Sequence, residues 1–396
     1  MTYYLLPKTN SNIFNKLECI SSPTQPEPVI SFSLSHYLYE IKKKLEEREK
    51  DWDTYKKYTN PYEFVHGLVP GKKKSVSKYK PLSRSYFKMI EMLHTFNIRF
   101  DNSPIKTFHL AEGPGGFIEA MANTRNNKSD QYIGISLLDD ENDPNIPAWK
   151  KTDSFLKNNK NVRIEYGKDK TGNILSLENF VYCKNKYANS MQVITADGGF
   201  DFSIDFNKQE INISKLLFAQ MSYAIVLQKK GGTFILKLFD CFMHQSIDIL
   251  SILSSFYEKV YLIKPNTSRY ANSEKYVVCK GFLHSTNDQY YPYFYNAFKT
   301  MVNLNEKVNI QRFLSIPVSS YFITKLEEYN AIFGQQQIEN IHYTISLIDS
   351  KNNQEKVDSL IKTNIQKAVQ WCSKHNVPYN IMIDSHTDNV FMKMYP

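Results

Sequence analysis

Lys88, Asp197, Lys237 and Glu274 each occupy a short segment that reads as a strand end or the first turns of a helix: SRSYFKM, ITADGGF, TFILKLFD and NSEKYVVC. Two amines and two carboxylates of this kind can manage a proton. A lysine at its ordinary pKa of ~10.4 is nearly all ammonium at neutral pH and cannot accept one. Partial burial and a second ammonium nearby lower that value, whereas carboxylates raise it while fixing the amine's orientation. The four residues therefore make chemical sense as a set, provided the chain brings them together. A fifth segment, HLAEGPGGF, lies between the first two. Its Gly113, Pro114, Gly115 and Gly116 follow a strand at once and open a helix, so the backbone can approach a ligand where a Cβ would obstruct it. A dinucleotide dehydrogenase is the main competing use of such a turn, but it wants GxGxxG and an acid at the end of the second strand. The spacing here differs, and the second strand ends near Ser136, with Asp139 and Asp140 beyond it.

The elements that must position these residues are legible from periodicity. A helix from about Arg84 to Phe96 buries Tyr86, Met89, Ile90 and Leu93 at helical spacing, and Lys88 falls off that stripe. TFHL, YIGISLL, NVRIEYG, MQVITADGG and TFILKLF read as five strands, separated by helices that include Glu210 to Lys229. A helix from Met243 to Tyr257 then leads to KVYLIKP and KYVVCKGF. The first five strands imply parallel βαβ units; the last two have no room for a crossover helix between them and imply an antiparallel end. Asp197 and Lys237 thus fall at strand ends on the carboxyl edge of the sheet, where ligands bind. Before this core, residues 1–30 read as an extended arm and Ser33 to Lys57 as one charged helix. The Lys42, Lys43 and Lys44 run in that helix reads as a solvated face. After the core, text such as NQEKVDSLIKTNIQKAVQWCSKHN is helical.

The order and wording of these five segments, over roughly residues 80 to 285, resemble the FtsJ-like ribose 2′-O-methyltransferases, and among them the mRNA cap enzymes of eukaryotes and large DNA viruses. The resemblance implies an α/β fold: a Rossmann-like methyltransferase sheet, mostly parallel with an antiparallel final strand, plus helical N- and C-terminal extensions. The expected division is 1–80 as arm and helical extension, 81–288 as catalytic domain and 289–396 as a mainly helical extension. It implies S-adenosyl-L-methionine as cofactor and Lys88, Asp197, Lys237 and Glu274 as the catalytic set. Lys237 would deprotonate or steer the 2′-hydroxyl, Lys88 would be the second cation, Asp197 would face the methyl group, and Glu274 would complete the network. Glu112, Gly113, Pro114, Gly115, Gly116, Phe117, Ser136, Asp169, Asn173 and Asp197 would hold the cofactor. Ser136 stands where many methyltransferases place a carboxylate for the ribose hydroxyls, and Thr171, Gly172, Asn173 stand where the cap enzymes often read T-G-D. Lys72, Lys73, Lys74, Lys78 and Lys80, just before the first catalytic residue, would follow an RNA backbone, as would Ser268 and Arg269. No metal is implied.

Bulk properties agree with a polyanionic partner: 396 residues, net charge +9 and pI near 9.0. Five cysteines without a CxxC pair indicate neither a disulfide framework nor a zinc site, and point to a reducing compartment. No leader-like start and no apolar run of ~20 residues are seen, so the expectation is a soluble intracellular protein without membrane association. Its place would be host cytoplasm or virion if viral, nucleus if cellular. The ADGGFD and NSEKYVVC wordings and the two extensions favour capped mRNA as substrate, with association with other capping or transcription proteins. Methylation of rRNA or tRNA is the alternative, and a catalytically silent RNA-binding subunit is the alternative of another class. The aromatic cluster YYPYFYNAF near Tyr290 is expected in the core rather than at a cap.

Overall fold

The computed structural model describes residues 3–138, 148–199, 209–350 and 353–380. Asp139 and Asp140 lie outside them. Along the chain run β1 (Tyr3–Leu5), β2 (Leu17–Ser22), α1 (Phe32–Glu46), α2 (Glu49–Tyr58), α3 (Ser85–Thr95), β3 (Lys106–Leu110), α4 (Gly116–Arg125) and β4 (Gln131–Ile135). Then come α5 (Asp153–Asn158), β5 (Val162–Ile164), α6 (Leu177–Tyr187), β6 (Met191–Ala196), α7 (Gln209–Leu227), β7 (Gln228–Leu238), α8 (His244–Phe256), β8 (Tyr257–Ile263) and β9 (Lys275–Phe282). The chain closes with α9 (Tyr291–Val302), β10 (Asn309–Leu314), α10 (Ser320–Asp349) and α11 (Gln354–Lys374).

Eight strands form one sheet in the order β1-β8-β9-β7-β6-β3-β4-β5. The β3–β4, β3–β6, β4–β5 and β6–β7 pairs are parallel, as the intervening helices require, whereas β9 runs antiparallel to both β7 and β8. This is the Rossmann-like sheet with an antiparallel final strand that the pattern predicts. Side-chain alternation feeds a layer on each face. Phe234 and Leu236 of β7, with Val277 and Cys279 of β9, enter a core with α7, α8 and α9. Ile235, Tyr276 and Val278 enter a second core with α3, α4 and α11. At about 1.5–3 kcal/mol for each large apolar side chain buried, these two layers supply most of the stabilisation. The Tyr290 cluster is core as expected, with Tyr290, Phe294 and Phe298 all buried.

The extensions differ from their predicted form. The N-terminal arm is not merely extended: β1 adds antiparallel to the β8 edge, and β2 pairs with β10, whose Arg312 grips Asp248 of α8 at 2.7 Å. The predicted Ser33–Lys57 helix breaks at Glu47 and Arg48 into α1 and α2; both pack on α10, and α2 also meets α11. Thr59 and Thr344 hydroxyls meet at 2.6 Å, and Asn364 Nδ2 donates to Tyr58 O at 2.7 Å. Residues far apart in sequence thus wrap the core together. The lysine-bearing segment is held in the same way: Lys78 N donates to Pro378 O at 2.8 Å and Asn380 N to Val76 O at 2.8 Å.

Candidate active site

Strand register brings the candidate residues to one edge. Leu110 is level with Ile135 on one side and Ala196 on the other, Ala196 is level with Leu236, and Lys237 faces Tyr276. Ser136, Asp197 and Lys237 each come one residue after an aligned partner, and the turn with Glu112 follows Leu110 directly. Glu274 sits immediately before β9, and Lys88 reaches the same place from α3.

The four polar residues form one network. Lys88 Nζ donates to Glu274 Oε1 at 2.6 Å and lies 3.5 Å from the Tyr276 hydroxyl. That hydroxyl donates to Asp197 Oδ1 at 2.8 Å. Lys237 Nζ donates to the Asp197 main-chain oxygen at 2.6 Å and stands 3.4 Å from Oδ1. Burial lowers the Lys88 pKa, and Arg84 and Lys237 push it further down against the pull of Glu274 and Asp197. Burial pushes the Glu274 carboxyl up, but the Lys88 and Lys237 ammoniums outweigh it and hold it well below the usual carboxylate range. Lys88 was expected off the buried stripe; in the structure α3 is buried from Ser85 to Leu93 on every side, so the amine is desolvated.

The glycine turn is a cradle that side chains would fill. Gly115 has φ +106°, a Cβ on Gly113 would fall 2.0 Å from Ala148 O, and one on Gly116 would fall 2.3 Å from the Ser83 and Ser85 hydroxyls. Pro114 O accepts from the Thr152 hydroxyl at 3.0 Å. Ser136 Oγ accepts from Gly113 N at 3.4 Å, tying the turn to the end of β4. Glu112 points inward, accepting from the Thr195 hydroxyl. Its Oε2, 3.2 Å from His109 Nδ1, is buried without a hydrogen-bond partner, and burial raises its pKa.

Some expected contacts fall elsewhere. The Phe117 ring is fully buried and packs 5.9 Å from the Tyr276 ring, so its side chain is core rather than cofactor contact. Asp169 Oδ1 accepts from Thr171 N, the Thr171 hydroxyl and Asn179 Nδ2, so it builds its own turn. Burial alone would raise the Asp169 pKa; these donors hold it at about 2. Asn173 Oδ1 accepts from Leu175 N at 2.9 Å, and a Cβ on Gly172 would fall 2.0 Å from Ser136 O, which sets this turn beside the end of β4. Lys73, Lys74, Lys78 and Lys80 are exposed and Lys72 is half-buried. Ser268 is buried and donates to Glu274 Oε1 at 2.7 Å, and the Arg269 guanidinium forks onto Glu63 at 2.6 and 3.1 Å. Neither is a surface group awaiting RNA, because each is already engaged inside the protein. Burial pushes Glu63 up, yet Arg269 and Arg84 hold it at about 2.

Sequence reasoning missed Tyr276 and Gly199. Tyr276 was signalled by strand alternation, since it follows Glu274 by two and must share its face. A Cβ on Gly199 would lie 3.1 Å from Lys237 Nζ, a proximity that no local pattern discloses.

The model of the family described as FtsJ-like methyltransferase matches residues 81–282. The chain is similar to a cap-specific mRNA (nucleoside-2′-O-)-methyltransferase 2 of Pongo abelii, 27% identical over 355 residues, covering 85% of this chain and 44% of that protein. It is also similar to a cap-specific mRNA (nucleoside-2′-O-)-methyltransferase 1 of Trypanosoma brucei brucei, 33% identical over 199 residues, covering 49% of this chain and 53% of that protein. The chain spans about half the length of these relatives. Among solved structures, a putative ribosomal RNA methyltransferase from Plasmodium falciparum aligns with TM-score 0.36 and 22% identity, over 51% of this chain and 98% of that one.

Proposed function

The chain belongs to the FtsJ-like methyltransferase family, and from that premise we propose that it transfers methyl from S-adenosyl-L-methionine to a ribose 2′-hydroxyl of RNA, on the first transcribed nucleotides of capped mRNA. The observation that carries this reading is the Glu274–Lys88–Tyr276–Asp197–Lys237 network at the carboxyl edge, beside a cradle that tolerates no side chains. The turn fits such a cofactor on two counts: Gly115, at φ +106°, caps the N-terminus of α4, whose first main-chain N–H groups have no helical partner, and Glu112 Oε2 is a buried acceptor that no hydrogen bond satisfies. Gly113, Pro114, Gly115 and Gly116 with Ser136 would hold it, and Asn173 would border it. When bound, the cofactor supplies a methyl group already activated on a sulfonium.

What remains for the protein is alignment and a proton. Lys237, anchored by the Asp197 carbonyl, steers the hydroxyl and receives or relays its proton. Lys88 holds a second positive charge nearby, while Glu274 and Asp197 keep both amines in place. We place the RNA along Lys72, Lys73, Lys74, Lys78 and Lys80, with residues 81–288 as catalytic domain and 1–80 and 289–396 as the extensions that frame it. The named activity of the relatives supports capped mRNA as substrate.

The test is transfer of labelled methyl to capped RNA of defined sequence, comparing the wild type with Lys237→Ala. The expected result is transfer by the wild type and a loss of at least roughly 100-fold in the variant. Label on uncapped structured RNA alone would indicate rRNA or tRNA as substrate, and RNA binding with no transfer would indicate a silent subunit.

A further inference from the structure

Lys264, the residue after β8, is a buried amine that the reaction above does not use. The β8–β9 register sets Ile263 opposite Tyr276, so Lys264 stands at the base of the loop from Pro265 to Glu274, across from Lys275. Its Nζ donates to two main-chain oxygens, Asn272 O at 2.5 Å and Glu274 O at 2.8 Å. Lys275 Nζ donates to the carbonyl between them, Ser273 O, at 3.1 Å. Three consecutive carbonyls leading to Glu274 are therefore each capped by a lysine. Lys275 is balanced by Asp240, 3.7 Å from its Nζ and 3.4 Å from that of Lys42.

A polar loop needs donors for its inward carbonyls, and solvent or a hydroxyl serves most loops. A buried lysine is a costly donor, because burial alone drives its ammonium down; here it brings the Lys264 pKa to about 7, with Lys275 and Lys88 pushing the same way and Glu274 and Asp240 opposing. Ammonium and neutral amine both retain at least two N–H donors, so both carbonyls stay held on either side of that value. The loop has other attachments: Glu91 accepts from Asn266 N and Thr267 N, Arg84 Nη2 donates to Thr267 O at 3.1 Å, Gln337 Nε2 donates to Ala271 O at 3.0 Å, and Ser273 Oγ donates to Gln209 Oε1 at 2.7 Å. Only the two lysines touch the carbonyls of residues 272–274 among the described contacts.

We infer that Lys264 is a positioning residue for the proposed methyl transfer: by fixing the Asn272 and Glu274 carbonyls it sets the Glu274 carboxylate, and through it the Lys88 amine. This rests on the proposed 2′-O-methyltransferase reading. An error of about 1 Å at the acceptor would propagate to Lys88, whose bond to Glu274 is 2.6 Å.

The test compares wild type, Lys264→Met and Lys264→Gln for kcat, KM for capped RNA and the dissociation constant of S-adenosyl-L-methionine. Methionine keeps the bulk and removes the donors; glutamine has a neutral amide with two N–H groups. The expected result is a kcat lowered roughly 10- to 100-fold in Lys264→Met, with cofactor binding and RNA KM within about threefold, and partial recovery of kcat in Lys264→Gln. Unchanged kcat in Lys264→Met would overturn the inference, as would equal loss of kcat and cofactor affinity. If Lys264→Met does not fold, Lys264→Gln decides: a kcat as low as in Lys237→Ala overturns the inference, and a value nearer wild type supports it. Absence of transfer by the wild type would instead refute the reading on which it rests.

Discussion

Tyr276 faces Lys237 across the β7–β9 ladder, and its hydroxyl donates at 2.8 Å to Oδ1 of Asp197, the residue whose main-chain oxygen accepts from Lys237 Nζ. The same hydroxyl lies 3.5 Å from Lys88 Nζ, whose ammonium stands 5.8 Å from the ring centre. Burial and the nearby Asp197 and Glu274 charges raise the Tyr276 pKa far above its ordinary value, so it acts as a neutral donor. Its part is to hold Asp197 toward the proposed methyl donor.

Tyr276→Phe should therefore keep the fold and lose alignment. A hydrogen bond to a charged group contributes ~1.5 kcal/mol, which corresponds to about tenfold in kcat if it is felt fully in the transition state. Single-turnover methyl transfer would show it. A rate equal to wild type would mean that Asp197 needs no such holding.

Gly199→Ala probes Lys237 without touching its chemistry. The added Cβ would sit 3.1 Å from Nζ and 3.3 Å from Cε, closer than side chains settle, so the amine must move by a few tenths of an ångström. The far end of a lysine yields easily, and the stability cost should stay below ~1 kcal/mol. Displacement of the reacting amine should lower kcat by at least roughly tenfold. Thermal unfolding and steady-state kinetics on the same sample separate the two effects, and an unaltered kcat would show that Lys237 tolerates the shift.

The seven core strands and the antiparallel end were legible from periodicity, and the four network residues from the match of their segments to the FtsJ-like wording, since Lys88 lies mid-helix and carries no local signal of its own. What stayed hidden depends on partners distant in sequence. Arg269 reads as an RNA ligand until Glu63, 206 positions away, is seen in its fork. Lys88 reads as exposed because helical periodicity shows one buried stripe, whereas the Glu274 loop and β9 cover a further face of α3, with Glu274 Oε1 at 2.6 Å and the Tyr276 hydroxyl at 3.5 Å from its amine. Strands β2 and β10 are short and polar enough to pass for loops, and exist because they pair with each other.

The exposed lysines give a salt-dependence prediction. If Lys73 and Lys74 contact phosphates of single-stranded RNA, removing both with Lys73→Ala and Lys74→Ala should reduce the slope of log K against log salt by about 1.4, at ~0.7 for each contact. Binding to capped RNA should weaken uniformly across sequences, with kcat at saturating RNA unchanged. An identical slope in the double variant would remove these residues from the RNA path.

Glu91 makes the Glu274 loop a source of pH-dependent stability. Its carboxylate is buried in α3 and accepts from Asn266 N at 2.9 Å, Thr267 N at 3.2 Å and the Thr267 hydroxyl at 3.0 Å. Burial pushes its pKa up to about 7 despite those donors, against an ordinary 4.5. Below pH 4.5 the folded and unfolded chains both carry the proton. Between 4.5 and 7 the unfolded chain releases it first, so stability falls as pH rises through this window and levels off above it. The span corresponds to an upper contribution on the order of 3 kcal/mol. Burial also raises Glu210 to about 6, which adds a decline of the same sign inside the same window, so wild type alone does not isolate Glu91. Burial lowers the His66 pKa to about 3 and so adds a gain of opposite sign up to its ordinary 6.5. The difference between proteins isolates Glu91: from pH 5 to pH 8 the change in stability by denaturant unfolding should be less favourable in wild type than in Glu91→Gln, whose amide does not titrate. Equal changes in the two proteins would mean that Glu91 stays ionised in the fold and that its grip on Asn266 and Thr267 is independent of pH.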